Sequence, residues 1–283
     1  MPHSRHSSDS DSWIAEVPVS TTYLITGANR GIGLQFVTVL LQRPCTKVIA
    51  ACRDPCKAEA LECLPAAKGS TLIIVKLDCT MDHDPYDAIA ELQHEHGIEH
   101  IDCVIANAGI EKFFGPVATV PLDELRDHFE VNSLAPLALF QATWPLLQKS
   151  PRPMFVPISS RLGSMSELSK VKVPAAVYGA SKAMLNYLTC KMHLENPSLI
   201  AFPLSPGFVQ TDMGSKNSKK AGIAKALTVE QSVSCMLKTV SNHDARKCHV
   251  NTDPFCYRLI PPLERKLQAP SNLGTGQRLT GRI

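Results

Sequence analysis

Short apolar runs that alternate with longer stretches of helical period set the tightest limit on what this chain can fold into. TYLITG, KVIAACR, STLIIVKLD, IDCVIANAG, MFVPISS and LIAFPLSPG read as strands. IGLQFVTVLLQR, DPYDAIAELQHEHG, LDELRDHFEVNSLAPLALFQATWPLLQKS and YGASKAMLNYLTCKMHLEN read as helices between them. Such alternation is how a parallel sheet covered by helices is written, and its crossovers are right-handed by rule. The expected fold class is α/β, a single domain with a doubly wound sheet whose ligand crevice lies at the carboxyl ends of the strands.

No internal repeat or linker divides the alternating region, so residues 22–241 are expected to form one domain. Residues 1–21, rich in Ser, His and Asp at their start, read as a flexible tail without the apolar centre of a signal peptide. Residues 242–283 carry scattered prolines and no clear period, and read as an atypical C-terminal segment.

With 283 residues, 44% of them hydrophobic, the chain can supply a substantial core. A formal charge of +3 with no basic stripe argues against nucleic-acid binding. Ten irregularly spaced cysteines suggest reduced thiols and a cytoplasmic chain. No apolar run approaches the roughly 18 to 20 residues of a membrane span. Cys52 with Cys56, and His94, His96 and His100, lack the spacing of a metal site, so no metal is expected.

Directly after the first strand comes Thr26-Gly27-Ala28-Asn29-Arg30-Gly31-Ile32-Gly33, followed by an apolar helix. Glycines there permit a tight turn and close approach of phosphate, and the helix N-terminus offers free N–H groups, as in a Rossmann fold. The second strand ends on Cys52-Arg53 where an acid would accept ribose hydroxyls, with Asp54 too late in the chain to do so. Two guanidiniums, Arg30 and Arg53, suit a 2′-phosphate, which predicts NADP(H) over NAD(H).

Further along, Tyr178 and Lys182 stand four apart at the start of a helical stretch. Residues so spaced share a helix face with Cβ atoms about 5 to 6 Å apart, so a phenol and an ammonium can act on one volume. Alone, such a pair is commonly just a solvated one; the rest of the chain changes that reading.

TGANRGIG, Asp78 after the third strand, ANAG at 106–109, Asn132, Ser159-Ser160, Tyr178-x3-Lys182 and Ser205-Pro206-Gly207 occur in the order found in short-chain dehydrogenases/reductases. From about Thr22 to Met213 the chain resembles that superfamily. The resemblance implies a catalytic tetrad of Asn132, Ser160, Tyr178 and Lys182, with Tyr178 trading a proton and Ser160 orienting the substrate. It also implies a cofactor surface made by Gly27, Asn29, Arg30, Gly31, Ile32, Gly33, Arg53, Asp78, Asn107, Gly109, Tyr178, Lys182, Pro206, Gly207, Val209 and Thr211. The Lys182 ammonium is expected to lower the Tyr178 pKa. Asn107 has a purely structural alternative, bracing adjacent strands.

FFGP, VNSLAPLALFQATWPLLQ and PGFVQTDMG are similar to fungal polyketide ketoreductases of the norsolorinic acid ketoreductase type and to C-factor-like carbonyl reductases. This implies a ketone on an aromatic polyketide or similar secondary metabolite. Between Ser160 and Tyr178 the insert RLGSMSELSKVKVPAAV is expected to shape the pocket mouth, with Met165, Val177, Phe208 and Met213 as apolar walls or as plain packing. Lys216, Lys219, Lys220 and Lys225 read as a solvated face. A general carbonyl or quinone reductase is the alternative, a non-catalytic dinucleotide sensor a further one, and a dehydratase or epimerase a third. The long helices around Asn132 and Lys191 resemble those that pair in family dimers and tetramers.

Overall fold

A computed structural model describes residues 20–170, 173–214 and 226–241. The lysines of the 216–225 run, the C-terminal segment and all but the last two residues of the N-terminal tail lie outside the described residues. The first strand starts at Thr21, inside the segment read as tail.

Six strands form one parallel sheet: β1 (Thr21–Thr26), β2 (Thr46–Cys52), β3 (Thr71–Lys76), β4 (Cys103–Ala106), β5 (Met154–Pro157) and β6 (Ile200–Ala201). Their order is β3-β2-β1-β4-β5-β6, so the winding reverses between β1 and β4. A crevice opens at such a reversal, beyond the carboxyl ends of the strands.

The sheet is buried on both faces because successive strand residues point to opposite sides. Ile25, Val48 and Ile105 pack against Phe36 and Leu40 of α1 (Gly31–Leu41) and Val233 and Met236 of α7 (Val229–Ser241). On the other face Leu24, Ile49 and Phe155 meet Leu92 of α3 (Asp84–His94), Leu146 of α5 (Ala135–Leu147) and Met192 of α6 (Ala176–Glu195). Two hydrophobic layers thus clamp the strand ends in fixed register.

The structure adds two helices that the sequence reading omitted, α7 and the short α2 (Glu59–Glu62). It also divides one expected helix: α4 (Leu122–Phe129) runs into a π turn (Glu130–Leu134) before α5. Pro136 explains the break, since it has no N–H to give the Asn132 carbonyl four residues back. No disulfide joins the eight cysteines among the described residues, and none of the described helices is long and apolar enough to cross a membrane.

At the reversal, the buried Thr26 hydroxyl accepts the backbone N–H groups of Asn107 and Ala108, each at 3.0 Å. Valine has the same shape and no acceptor. Thr26→Val is expected to cost about 2 to 6 kcal/mol, because two inward N–H groups lose their partner at about 1 to 3 kcal/mol each. Thr26→Ser should cost less than half of that in the same urea titration.

Candidate active site

The turn between β1 and α1 depends on its glycines. Gly27 and Gly31 have φ of 63° and 54°, where a side chain is strained. Gly33 touches the turn itself: a Cβ there would lie 2.2 Å from the Gly27 carbonyl oxygen. Asn107 braces this turn from below, its amide donating to the carbonyls of Thr26 (2.9 Å) and Gly27 (3.3 Å). The structure therefore uses the Asn107 side chain as a strand brace, the structural alternative to walling a ribose.

Around the turn, Asn29 and Ile32 are half-buried and Arg30 is exposed. Arg30 pairs with Asp212 at 3.3 Å, which links the turn to the segment after Pro206. Thr211 lies on the same contact, its methyl 3.6 Å from where a Gly31 Cβ would be. Pro206 accepts the Ser232 hydroxyl at 2.7 Å, Gly207 turns with φ of 77°, and Val209 is buried in a bridge to Leu227. Arg53 is exposed just past β2, and Asp54 beside it is engaged by Lys57 at 2.8 Å, leaving the strand end to the guanidinium. Asp78 closes a turn by accepting the Thr80 N–H and hydroxyl at 3.0 and 2.9 Å. These residues ring the carboxyl ends of β1, β2 and β3.

The other half of the crevice is catalytic in character. Lys182 is 3% exposed, and its Nζ donates to the Ile158 carbonyl at 2.8 Å while standing 5.7 Å from the Tyr178 ring centroid. The Ser160 hydroxyl bonds the Tyr178 side chain and accepts the Leu162 N–H at 3.2 Å. Ser159 faces the other way, buried, and donates to Asn186 Oδ1 at 2.6 Å. Asn132 sits in the π turn, fully buried, with Oδ1 accepting the Ile110 N–H at 2.8 Å and Nδ2 donating to the Ile110 carbonyl and Ser181 Oγ. Gly109 joins this group: a Cβ there would lie 3.1 Å from Asn132 Oδ1 and 3.6 Å from Lys182 Nζ. Its place is beside Asn132 and Lys182.

Electrostatically the pair differs from the sequence expectation. Burial, then the charge of Glu111, raises the half-buried Tyr178 phenol above its ordinary pKa, against a smaller lowering by the Ser160 bond. Burial lowers Lys182 to about 8. Desolvation, invisible in a sequence, outweighs the attraction between the two groups. The phenol keeps its proton at neutral pH.

Several contributors were not singled out from sequence. Gly163 and Gly179 let the turn after Ser160 lie directly on α6, since Cβ atoms there would approach the Lys182 carbonyl carbon to 2.6 Å and the Leu162 oxygen to 2.9 Å. Asn186 ties that turn down by donating to the Gly163 carbonyl at 3.0 Å. The signal was present: Tyr178, Lys182 and Asn186 repeat at four-residue spacing along one helix face. Val177 is buried at 1% exposure, as in the plain-packing alternative, while Met165 stands 76% exposed on the insert. Glu91, Glu95 and His96 come together near the end of α3, where Glu91 and His96 pair at 3.8 Å; His100 faces Asp102.

The family described as short chain dehydrogenase matches residues 21–222. Norsolorinic acid ketoreductase of Dothistroma septosporum is 44% identical over 218 residues, 75% of this chain and 81% of that protein. The norsolorinic acid ketoreductase of Aspergillus parasiticus is 42% identical over 214 residues, 75% and 79% of the two chains. Among solved structures, the NADPH-bound carbonyl reductase from chicken fatty liver superposes with a TM-score of 0.69 at 34% identity, covering 79% of this chain and 92% of that one.

A buried lysine lowered from 10.5 to about 8 burdens the folded state while it is charged. Between those values the unfolded chain binds more protons, so stability rises with pH. Compared with Lys182→Met, wild type should gain about 3 kcal/mol of unfolding free energy from pH ~7.5 to ~10.5, at about 1.4 kcal/mol per pKa unit. Paired denaturant titrations across that range measure the difference, in which the remaining groups cancel.

Proposed function

The chain belongs to the short-chain dehydrogenase family, and on that footing we propose that it is an NADPH-dependent ketoreductase acting on an aromatic polyketide or a similar secondary metabolite. One observation carries the reading: Ser160, Tyr178, Lys182 and Asn132 converge with Gly109 on a single volume at the carboxyl ends of β4 and β5. Its fungal relatives, norsolorinic acid ketoreductases at 44% and 42% identity, support the substrate class. The chicken carbonyl reductase favours a broader carbonyl reductase as second reading.

The crevice fits a dinucleotide. Gly27 and Gly31 leave a cradle free of side chains, α1 presents its first N–H groups there, and Arg30 and Arg53 supply charge for a 2′-phosphate. Lys182 would hold the nicotinamide ribose, and the 206–211 segment the carboxamide. When bound, the cofactor supplies hydride to the carbonyl carbon.

The chain's own residues do the rest. Tyr178, protonated at neutral pH, gives its phenolic proton to the carbonyl oxygen as charge develops there. Ser160, whose hydroxyl oxygen accepts from Leu162, would turn its own proton from Tyr178 to the same carbonyl oxygen. Asn132, outside the regular helical ladder, joins a relay that returns the proton. Exposed Leu122, Leu134, Tyr187 and Leu194 support pairing of two copies through α4 to α6.

NADPH absorbance followed against a panel of aromatic polyketide ketones and simple quinones tests the reading. Tyr178→Phe is expected to lose about 100-fold or more in kcat, the scale of a missing general acid, with NADPH binding nearly intact. Wild-type preference for NADPH over NADH should shrink by roughly 10- to 100-fold when Arg30 and Arg53 are both alanine, as expected for lost charged hydrogen bonds. An equal KM for the two cofactors in wild type would refute the assignment of both arginines.

A further inference from the structure

His128 and Asn132 lie one turn apart on α4 and the π turn, both at 0% exposure. Each spends its polar atoms on the same short strap of backbone, residues 110–112. Asn132 holds Ile110 at both ends, accepting its N–H at 2.8 Å and donating to its carbonyl at 2.9 Å. His128 holds Lys112: Nε2 is 3.0 Å from the Lys112 N–H, and Nδ1 is 2.6 Å from the Glu124 carbonyl. An amide N–H only donates and a carbonyl only accepts, so the ring proton must be on Nδ1 and the lone pair on Nε2.

This strap borders the catalytic groups. A Cβ on Gly109, which precedes it, would crowd Asn132 Oδ1 at 3.1 Å and touch Lys182 Nζ at 3.6 Å, and Glu111 within it is near enough to act on Tyr178 by its charge. The Lys112 side chain adds only a half-exposed pair with Asp127 at 2.7 Å, which water screens. The buried bond to His128 therefore fixes where the strap ends.

Resting on the Tyr178-based reduction above, we propose that His128 is a positioning residue for that reaction: by accepting the Lys112 N–H it holds residues 109–112 against Lys182 and Tyr178 and lets Asn132 keep both bonds to Ile110. The cofactor turn is braced separately, through Thr26 and Asn107. Loss of the clamp consequently falls on the chemical step and spares cofactor binding.

The test compares His128→Leu and His128→Gln in the full chain, with kcat and KM for a turned-over ketone, NADPH affinity by fluorescence, and Tm. Glutamine sets an amide oxygen near the position of Nε2. The leucine variant is expected to lose about 10-fold or more in kcat with NADPH affinity within about 2-fold, as for a buried donor left unpaired, and glutamine to recover most of the loss. A folded leucine variant with wild-type kcat, or a glutamine variant no better than leucine, overturns the role. Should leucine prevent folding, the nitrogen-15 histidine spectrum of wild type decides: Nδ1–H with bare Nε2 supports the clamp, and Nε2–H overturns it. Absence of ketone turnover in wild type removes the reductase reading and this role together. Normal wild-type turnover beside an unaffected leucine variant removes only the role of His128.

Discussion

A lysine ammonium withdrawn from water is the constraint around which one half of the candidate site is arranged. Among the described residues, Lys182 has the Ile158 carbonyl as a neutral acceptor and an aromatic ring in reach, and no carboxylate pairs with it. Burial without a counter-charge is costly, and its lowered pKa records that cost. The surroundings are correspondingly rigid. Gly109 lacks a side chain next to the ammonium, Gly163 lies on the backbone of its own helix, and Ser181 is bonded to Asn132.

The two halves of the crevice meet at the reversal of the sheet, and different devices brace them. On the cofactor side, Thr26 and Asn107 knit the ends of β1 and β4 together through a hydroxyl and an amide. On the catalytic side, Ser159, Asn186 and the Gly163 carbonyl tie the end of β5 to α6. Both sets are buried polar groups with partners, which sharpen geometry more than they add stability. Hydrophobic layers bring the strands together, and these bonds fix where their ends point.

Much of this was legible in the sequence because strand and helix periods, the glycine turn and the tetrad spacing are local patterns. The six strands are legible in chain order though their neighbours are not, and Ser160 is distinguished from Ser159. Helix α7 was missed although Val229, Val233, Met236, Leu237 and Val240 follow a helical period, because it stands beside a lysine-rich run and an aperiodic tail. The π turn is a backbone event, readable only by asking which carbonyl Pro136 abandons. The balance between Tyr178 and Lys182 went the other way because spacing reports who can meet, while burial decides which protonation state survives. Asn107 was legible as an amide at a strand end, but its partners are carbonyls about eighty residues away.

The paired glycines between the Ser160 turn and α6 have a consequence for how such a protein diversifies. Because Gly163 and Gly179 seat the turn directly on the helix backbone, Ser160 is registered to Tyr178 by the first three residues of the insert. Residues 164–170 leave that joint, and Ala175 further along bridges to Gly115. The loop is thus an exchangeable cassette plugged into a fixed socket. Its length and its exposed Met165 and Leu168 are free to drift with the shape of a new ketone, while the reacting groups keep their alignment.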